Sequence, residues 1–122
     1  MILDHIAIRT RNIEKLKDFY VRFFEGTANP KYHNPKTGLE SYFITFGNGS
    51  RIELMRQPGI PANLNDSEQM QYTGIIHLAF GVSSMEEVIS KSEELGKAGY
   101  KILLFSRATK LEQRHLQSLP VH

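Results

Sequence analysis

Asp4-His5-Ile6-Ala7-Ile8 near the N-terminus and Ile76-His77-Leu78-Ala79-Phe80 past the middle of the chain share one pattern: histidine, a bulky apolar residue, alanine, a second bulky apolar residue. Apolar residues at every second position mark a strand with one face against a core. Each copy is followed by a helical segment, so the repeat extends beyond the strand. After the first copy, Asn12 is suited to cap a helix that carries Ile13, Leu16, Tyr20 and Phe23 at three- and four-residue spacing, with Glu14, Lys15, Lys17 and Asp18 on the other side. After the second, Ser83 and Ser84 stand three residues before Glu86 and Glu87 as in a capping box. Met85, Val88, Ile89 and Leu95 form the apolar stripe, and Gly96 and Gly99 mark its end.

Working outward, residues 27–33 read as a short strand and Pro35-Lys36-Thr37-Gly38 as a turn. Two β-rich runs follow, 39–46 and 51–55, joined by Gly47-Asn48-Gly49, whose Asn-Gly step suits a tight hairpin. The first half is therefore β-α-β-β-β. Residues 57–72 hold two prolines and two asparagines without periodicity and read as a linker. The second half gives a strand over 73–82, a helix over 84–98 and a strand over 100–105, leaving a polar remainder too short for a normal hairpin. The expected fold class is α+β with two βαβββ modules, the second incomplete at its C-terminal strands. A single domain of 1–122 would comprise module one at about 1–57, the linker at about 58–72, a partial module two at about 73–106 and an atypical tail at 107–122.

Composition narrows the function. At 122 residues and 40% hydrophobic, the chain suffices for one compact domain. No stretch approaches the roughly 18 apolar residues of a membrane helix, and Met1-Ile2-Leu3-Asp4-His5 lacks the basic start of a signal peptide, so a cytoplasmic location and no membrane partner are expected. There are no cysteines, so a metal site must use histidine, carboxylate and water. The net charge of +2 is spread over interleaved Lys/Arg and Asp/Glu, which offers no basic stripe to nucleic acid.

Alternation also assigns faces. With Ile6 and Ile8 toward a helix, His5, Ala7 and Arg9 point the other way, as do His77 and Ala79 when Leu78 and Phe80 face a helix. Ile52 and Leu54 likewise place Glu53 on the uncovered face. Two histidines and one glutamate are the minimum that holds a divalent cation with open positions. Plainer readings exist for each residue. A histidine on a half-buried strand is often satisfied by a backbone carbonyl, Arg51 two positions from Glu53 would neutralise it as an ordinary ion pair, and Arg9 is a charge at a strand end. Tyr42 and Phe43 are expected to split, one ring to the core and one to the cleft, while Tyr32 and His33 face solvent. The repeat tips the balance, because two histidines at equivalent places in two modules are not easily accidental.

Leu3-Asp4-His5-Ile6-Ala7-Ile8, Asp18-Phe19-Tyr20, Ser41-Tyr42-Phe43-Ile44-Thr45-Phe46, Arg51-Ile52-Glu53-Leu54-Met55 and Ile76-His77-Leu78-Ala79-Phe80, in that order, resemble the glyoxalase I, bleomycin-resistance and extradiol-dioxygenase (vicinal oxygen chelate) superfamily. The likeness is greatest to small bacterial lactoylglutathione lyases and covers about residues 1–106. It implies a glyoxalase-like fold and a metal-dependent lyase or isomerase acting on a small oxygenated substrate such as a hemithioacetal. His5, Glu53 and His77 match the first three ligands of a divalent nickel, zinc or iron ion. Arg9 matches a position that contacts the anionic thiol cofactor of the substrate, and Tyr42 or Phe43 would line the pocket. The resemblance further implies a homodimer with shared sites, His5 and Glu53 from one chain and His77 from the other.

The resemblance stops near Ser106. Family members close with a strand pair ending in a glutamate that is both fourth ligand and proton-shuttling base, and nothing in 107–122 matches it. This puts turnover in question and leaves the catalytic base unassigned. A non-catalytic small-molecule binding protein of the bleomycin-resistance type is the alternative, and a two-histidine, one-carboxylate dioxygenase also fits the surviving set. The tail is expected to be that of a shortened or frame-altered chain, ahead of a substitute strand or disorder. If it forms a strand, Glu112 or His115 would be candidates to replace the missing ligand. Missing strands would expose a sheet edge and an apolar face and so favour pairing with another chain.

Overall fold

The computed structural model describes residues 1–62, 72–75 and 77–102, together with the backbone of 115–118. The chain divides into two compact units, one resting on Met1–Ala62 and the other on Asn63–Pro120. The first contains β1 (His5–Arg9), α1 (Ile13–Phe24), β2 (Thr27–Ala28), β3 (Tyr32–His33), β4 (Glu40–Thr45) and β5 (Arg51–Arg56). The sheet runs β1-β5-β4-β2, with β3 also paired to β4, and only β1 and β5 are parallel.

Helix α1 starts where the sequence predicts. The Asn12 side-chain oxygen accepts from the Lys15 N–H at 3.1 Å, which satisfies one of the amides left open at a helix start. The predicted stripe of Ile13, Leu16, Tyr20 and Phe23 is buried together with Phe19, and α1 packs on β4 and β5, where Ile44, Ile52 and Leu54 are also buried. The helix ends on Glu25 in the left-handed region (φ 57°, ψ 27°). Glycine is required one position later for space: a Cβ on Gly26 would lie 2.4 Å from Ile44 Cγ2 and 3.2 Å from the Tyr20 carbonyl oxygen.

The strand expected over 27–33 is broken in two. Ala28 pairs with Ile44 and Tyr32 with Ser41, so three residues, Asn29 to Lys31, face the two residues Tyr42 and Phe43. This is a bulge, placed where Pro30 has no N–H to give to the ladder. Asn29 satisfies Phe43 there instead, accepting its N–H on Oδ1 at 2.8 Å and donating its own N–H to the Phe43 carbonyl at 3.1 Å. The β4–β5 connection turns at Gly49 (φ +99°), whose N–H donates to the Phe46 carbonyl at 2.7 Å.

The second unit contains β6 (Leu78–Gly81), α2 (Met85–Lys97) and β7 (His115–Ser118), with β6 and β7 antiparallel. Ser84 caps α2 by accepting the Glu87 N–H at 3.1 Å, and the Glu87 carboxylate reaches back to the Ser83 N–H at 3.0 Å. The expected stripe needs one correction. Ile89 is exposed, and Ser92 is buried between Val88 and Leu95, its hydroxyl donating to the Val88 carbonyl at 2.8 Å. Positions 88, 92 and 95 form a narrow seam, and Ile89 falls on its flank. The strand expected over 73–82 shortens to Leu78–Gly81. Tyr100 to Ile102 are not in a strand, and the rest of the expected 100–105 strand lies outside the described residues. Within the tail, 115–118 pair with β6, and Glu112 lies outside the described residues. Among the described residues no helix is long and apolar enough to cross a membrane.

Candidate functional site

The parallel pairing of β1 with β5 sets His5 beside Arg51, Ala7 beside Glu53 and Arg9 beside Met55. The antiparallel pairing of β4 with β5 sets Phe43 beside Glu53. Paired residues project to the same side of a sheet. Ile6, Ile8, Ile44, Ile52 and Leu54 share the helix side by this register, so His5, Arg9, Phe43, Arg51 and Glu53 share the opposite face.

On that face His5 Nε2 lies 3.3 Å from Glu53 Oε2, and its Nδ1 lies 2.6 Å from Asp4 Oδ2. Asp4 also pairs with the Arg51 guanidinium. Hydrogen bonds from His5, then from Arg51, hold the Asp4 carboxyl below its ordinary range. The two ring nitrogens of His5 thus face different carboxylates, Nδ1 that of Asp4 and Nε2 that of Glu53. The Phe43 ring packs against the imidazole, centroids 5.1 Å apart and nearly perpendicular, and the Arg51 guanidinium lies 4.7 Å over the same ring.

The His5–Glu53 distance tests the fit to a cation. A charge-assisted hydrogen bond from an imidazolium to a carboxylate closes to about 2.7–2.9 Å. Two ligands at about 2.0–2.2 Å from one ion, in adjacent tetrahedral or octahedral positions, stand about 2.8–3.6 Å apart. The observed 3.3 Å is an ion-pair separation that also lies within the spacing of adjacent ligands. His5 and Glu53 thus fit as two neighbouring ligands, and the carboxylate on the far ring nitrogen is the partner that metal-bound histidines ordinarily have. Among the described residues no group of three or more His, Asp or Glu side chains is assembled for a metal. His77 belongs to the second unit, where it is exposed and directly precedes β6; Leu78 and Phe80 are half-buried and Ala79 exposed, as alternation predicts.

The other expected site residues divide. Phe43 joins His5 and Glu53. Tyr42 lies on the helix side, its hydroxyl donating to the Glu14 carboxylate oxygens at 2.9 and 3.1 Å. Burial, then the bond to Glu14, raises its pKa and keeps that hydroxyl protonated. The aromatic pair is split as expected, and Phe43 is the member that faces the site. Arg9 donates to Gln57 Oε1 at 3.5 Å. Arg51, expected to neutralise Glu53, pairs with Asp4 instead. The parts that periodicity did not single out are Asp4 and Arg51; the signal for them is lateral, the register that sets residue 5 beside residue 51.

Residues 4–113 match the glyoxalase/bleomycin resistance protein/dioxygenase superfamily. The chain belongs to that superfamily. Similar solved structures include the glyoxalase family protein from Enterococcus faecalis, at 27% identity and TM-score 0.62 over 78% of this chain and 72% of that one. A glyoxylase/bleomycin resistance protein/dioxygenase domain from Frankia sp. EAN1pec matches at 22% identity and TM-score 0.64, over 81% and 70% of the two chains. A mutant of the fosfomycin resistance protein FosX from Listeria monocytogenes, complexed with Mn(II) and 1S,2S-dihydroxypropylphosphonic acid, matches at 21% identity and TM-score 0.62, over 86% and 77%. No curated protein matches the chain. The α+β arrangement of a mixed sheet with two helices is thus that of glyoxalase-superfamily structures.

Proposed function

We propose that this superfamily member is a metal-dependent lyase or isomerase of the glyoxalase type, acting on a small oxygenated substrate at a divalent cation held by His5 and Glu53. The observation that carries this is the imidazole of His5, engaged by Asp4 on one nitrogen and presented to Glu53 at 3.3 Å on the other. FosX, described with Mn(II) and a vicinal diol, supports a cation and an oxygenated ligand on the same fold. A bound cation would polarise the substrate's oxygens. The chain's own contributions are to orient His5 through Asp4, to shield it with Phe43, and to anchor a negative group on Arg9. His77 of a second copy is proposed as the third ligand, in a homodimer with shared sites.

A second reading, a protein that sequesters its ligand without turnover, is favoured by one feature. Among the described residues the strands bring no carboxylate other than Glu53 to this face, and Asp4 beside it is committed to His5 and Arg51, so no free base is present to move a proton. Metal analysis of the full chain, followed by an assay of methylglyoxal hemithioacetal isomerisation with nickel, zinc or iron, separates the two. Turnover abolished by His5→Ala and Glu53→Ala supports the lyase. Absence of turnover despite metal uptake supports sequestration, and failure to take up any of the metals refutes the lyase and leaves the binding reading in front.

A further inference from the structure

We propose that Arg51 is an anion-recognition residue of this same face, so that the ligand carries a carboxylate, phosphonate or phosphate group beside its metal-binding oxygens. The proposal takes its location from the cation-site reading but concerns a separate binding event. Arg51 is paired in register with His5 and stands two residues before Glu53 on one strand, so its side chain emerges beside the pair. Its guanidinium carbon lies 4.7 Å from the Phe43 ring centroid, and that ring also flanks His5 at 5.1 Å. One aromatic ring therefore positions both groups. Contact with the ring leaves N–H groups of the guanidinium to act as a fork for an oxyanion.

Those groups are accessible. The Arg51 side chain is 35% exposed, and among the described residues Asp4 is its one hydrogen-bond partner, through a single terminal nitrogen of a group with five N–H donors. Asp4 is itself 58% exposed and held in place by His5. An exposed ion pair of this kind adds little to stability, so the fold alone does not require an arginine stacked at this place.

Distance distinguishes Arg51 from Arg9. Arg9 stands four residues along β1 from His5, about 13 Å at the usual rise of a strand, and is drawn toward Gln57. Arg51 is thus the nearer arginine to His5, while Arg9 lies two residues beyond Ala7, the partner of Glu53.

The test is titration of the full chain, metal-free and zinc-loaded, with methylphosphonate, using propane-1,2-diol as the neutral control and nitrogen-15 NMR of arginine Nε–H groups as the readout. Methylphosphonate is expected to shift the Arg51 Nε–H signal saturably and the diol to leave it in place. Arg51→Gln is expected to weaken methylphosphonate binding roughly tenfold or more, the loss of a charge-assisted contact. Arg51→Lys, which keeps charge without the fork, should fall between. An unmoved Arg51 signal, or Arg51→Gln binding methylphosphonate as the parent does, overturns the proposal; the first holds even if the variants fail to fold. Zinc uptake measured on the same samples separates this outcome from failure of the cation site, because the metal-free titration still decides the role of Arg51.

Discussion

Replacing Asp4 by asparagine removes a charge and almost nothing else, which makes it a direct test of how His5 is held. The carboxylate accepts from His5 Nδ1 at 2.6 Å and pairs with Arg51, yet it touches no cation in the proposed arrangement. Loss of such an outer partner of a metal-bound histidine costs about 10–100-fold in metal affinity. Two features set the position within that range. The contact is short and charged, which argues for a real effect, but the Asp4 side chain is 58% exposed, so water screens much of the charge. Asp4→Asn, which keeps an acceptor oxygen for Nδ1, is therefore expected to weaken zinc or nickel binding by about tenfold. Asp4→Ala also frees the imidazole to rotate and should lie nearer the upper end. Competition against a chromophoric chelator measures both, with a urea titration to show that the fold is unchanged. If both variants bind within twofold of the parent while Glu53→Ala loses the metal, His5 is not oriented by Asp4, and the argument from the two ring nitrogens fails.

Three further outcomes follow from the packing and the charges. Leu54→Ala removes a fully buried side chain between α1 and the sheet and is expected to cost about 3–5 kcal/mol in chemical denaturation; a loss under 1 kcal/mol would mean that this core is loosely packed. Gly26→Ala is expected to destabilise by about 1–3 kcal/mol, because its Cβ would meet Ile44 at 2.4 Å, whereas Glu25→Gly at φ 57° should be neutral or stabilising; equal effects of the two would contradict the separation of strain from space at the end of α1. Lys31 bridges Glu14 at 3.0 Å and Glu40 at 3.3 Å, lowering both carboxyl pKa values while its own is raised. The carboxylates' contribution is thus complete above the ordinary carboxylate range and lost as pH falls through their lowered values, while that of Lys31 is lost only when pH rises through its raised value. Glu14→Gln with Glu40→Gln should flatten the fall in thermal midpoint between neutral and acid pH, and an unchanged profile would show that the network carries no linkage.

Much of the first unit was legible in the sequence because its signals are local. Asn12 caps where its side chain reaches a nearby amide, as Ser84 does in the second unit, and Ile13, Leu16, Tyr20 and Phe23 are buried because helical spacing puts them on one side. The second helix was less legible: Ile89 and Ser92 exchange their expected places, since a short helix with a narrow contact buries a seam rather than every apolar residue near it. The break at Asn29 to Lys31 needed the partner strand, because a bulge is a mismatch of count between two strands and is invisible in either alone.

By itself the sequence determined which face the residues of the unbroken strands β1 and β5 take, and so put His5, Arg9 and Glu53 together on the side away from α1, because alternation along an extended backbone follows from the apolar positions. Only the tertiary structure decided who stands beside whom. The parallel pairing of β1 with β5 joins segments more than 40 residues apart, brings His5 within 3.3 Å of Glu53, gives Arg51 to Asp4 and Phe43, and leaves Tyr42 to Glu14 on the helix side. Lateral neighbours in a sheet are fixed by register, and register between distant strands is set by packing the whole layer against its helix, a property no window of sequence contains.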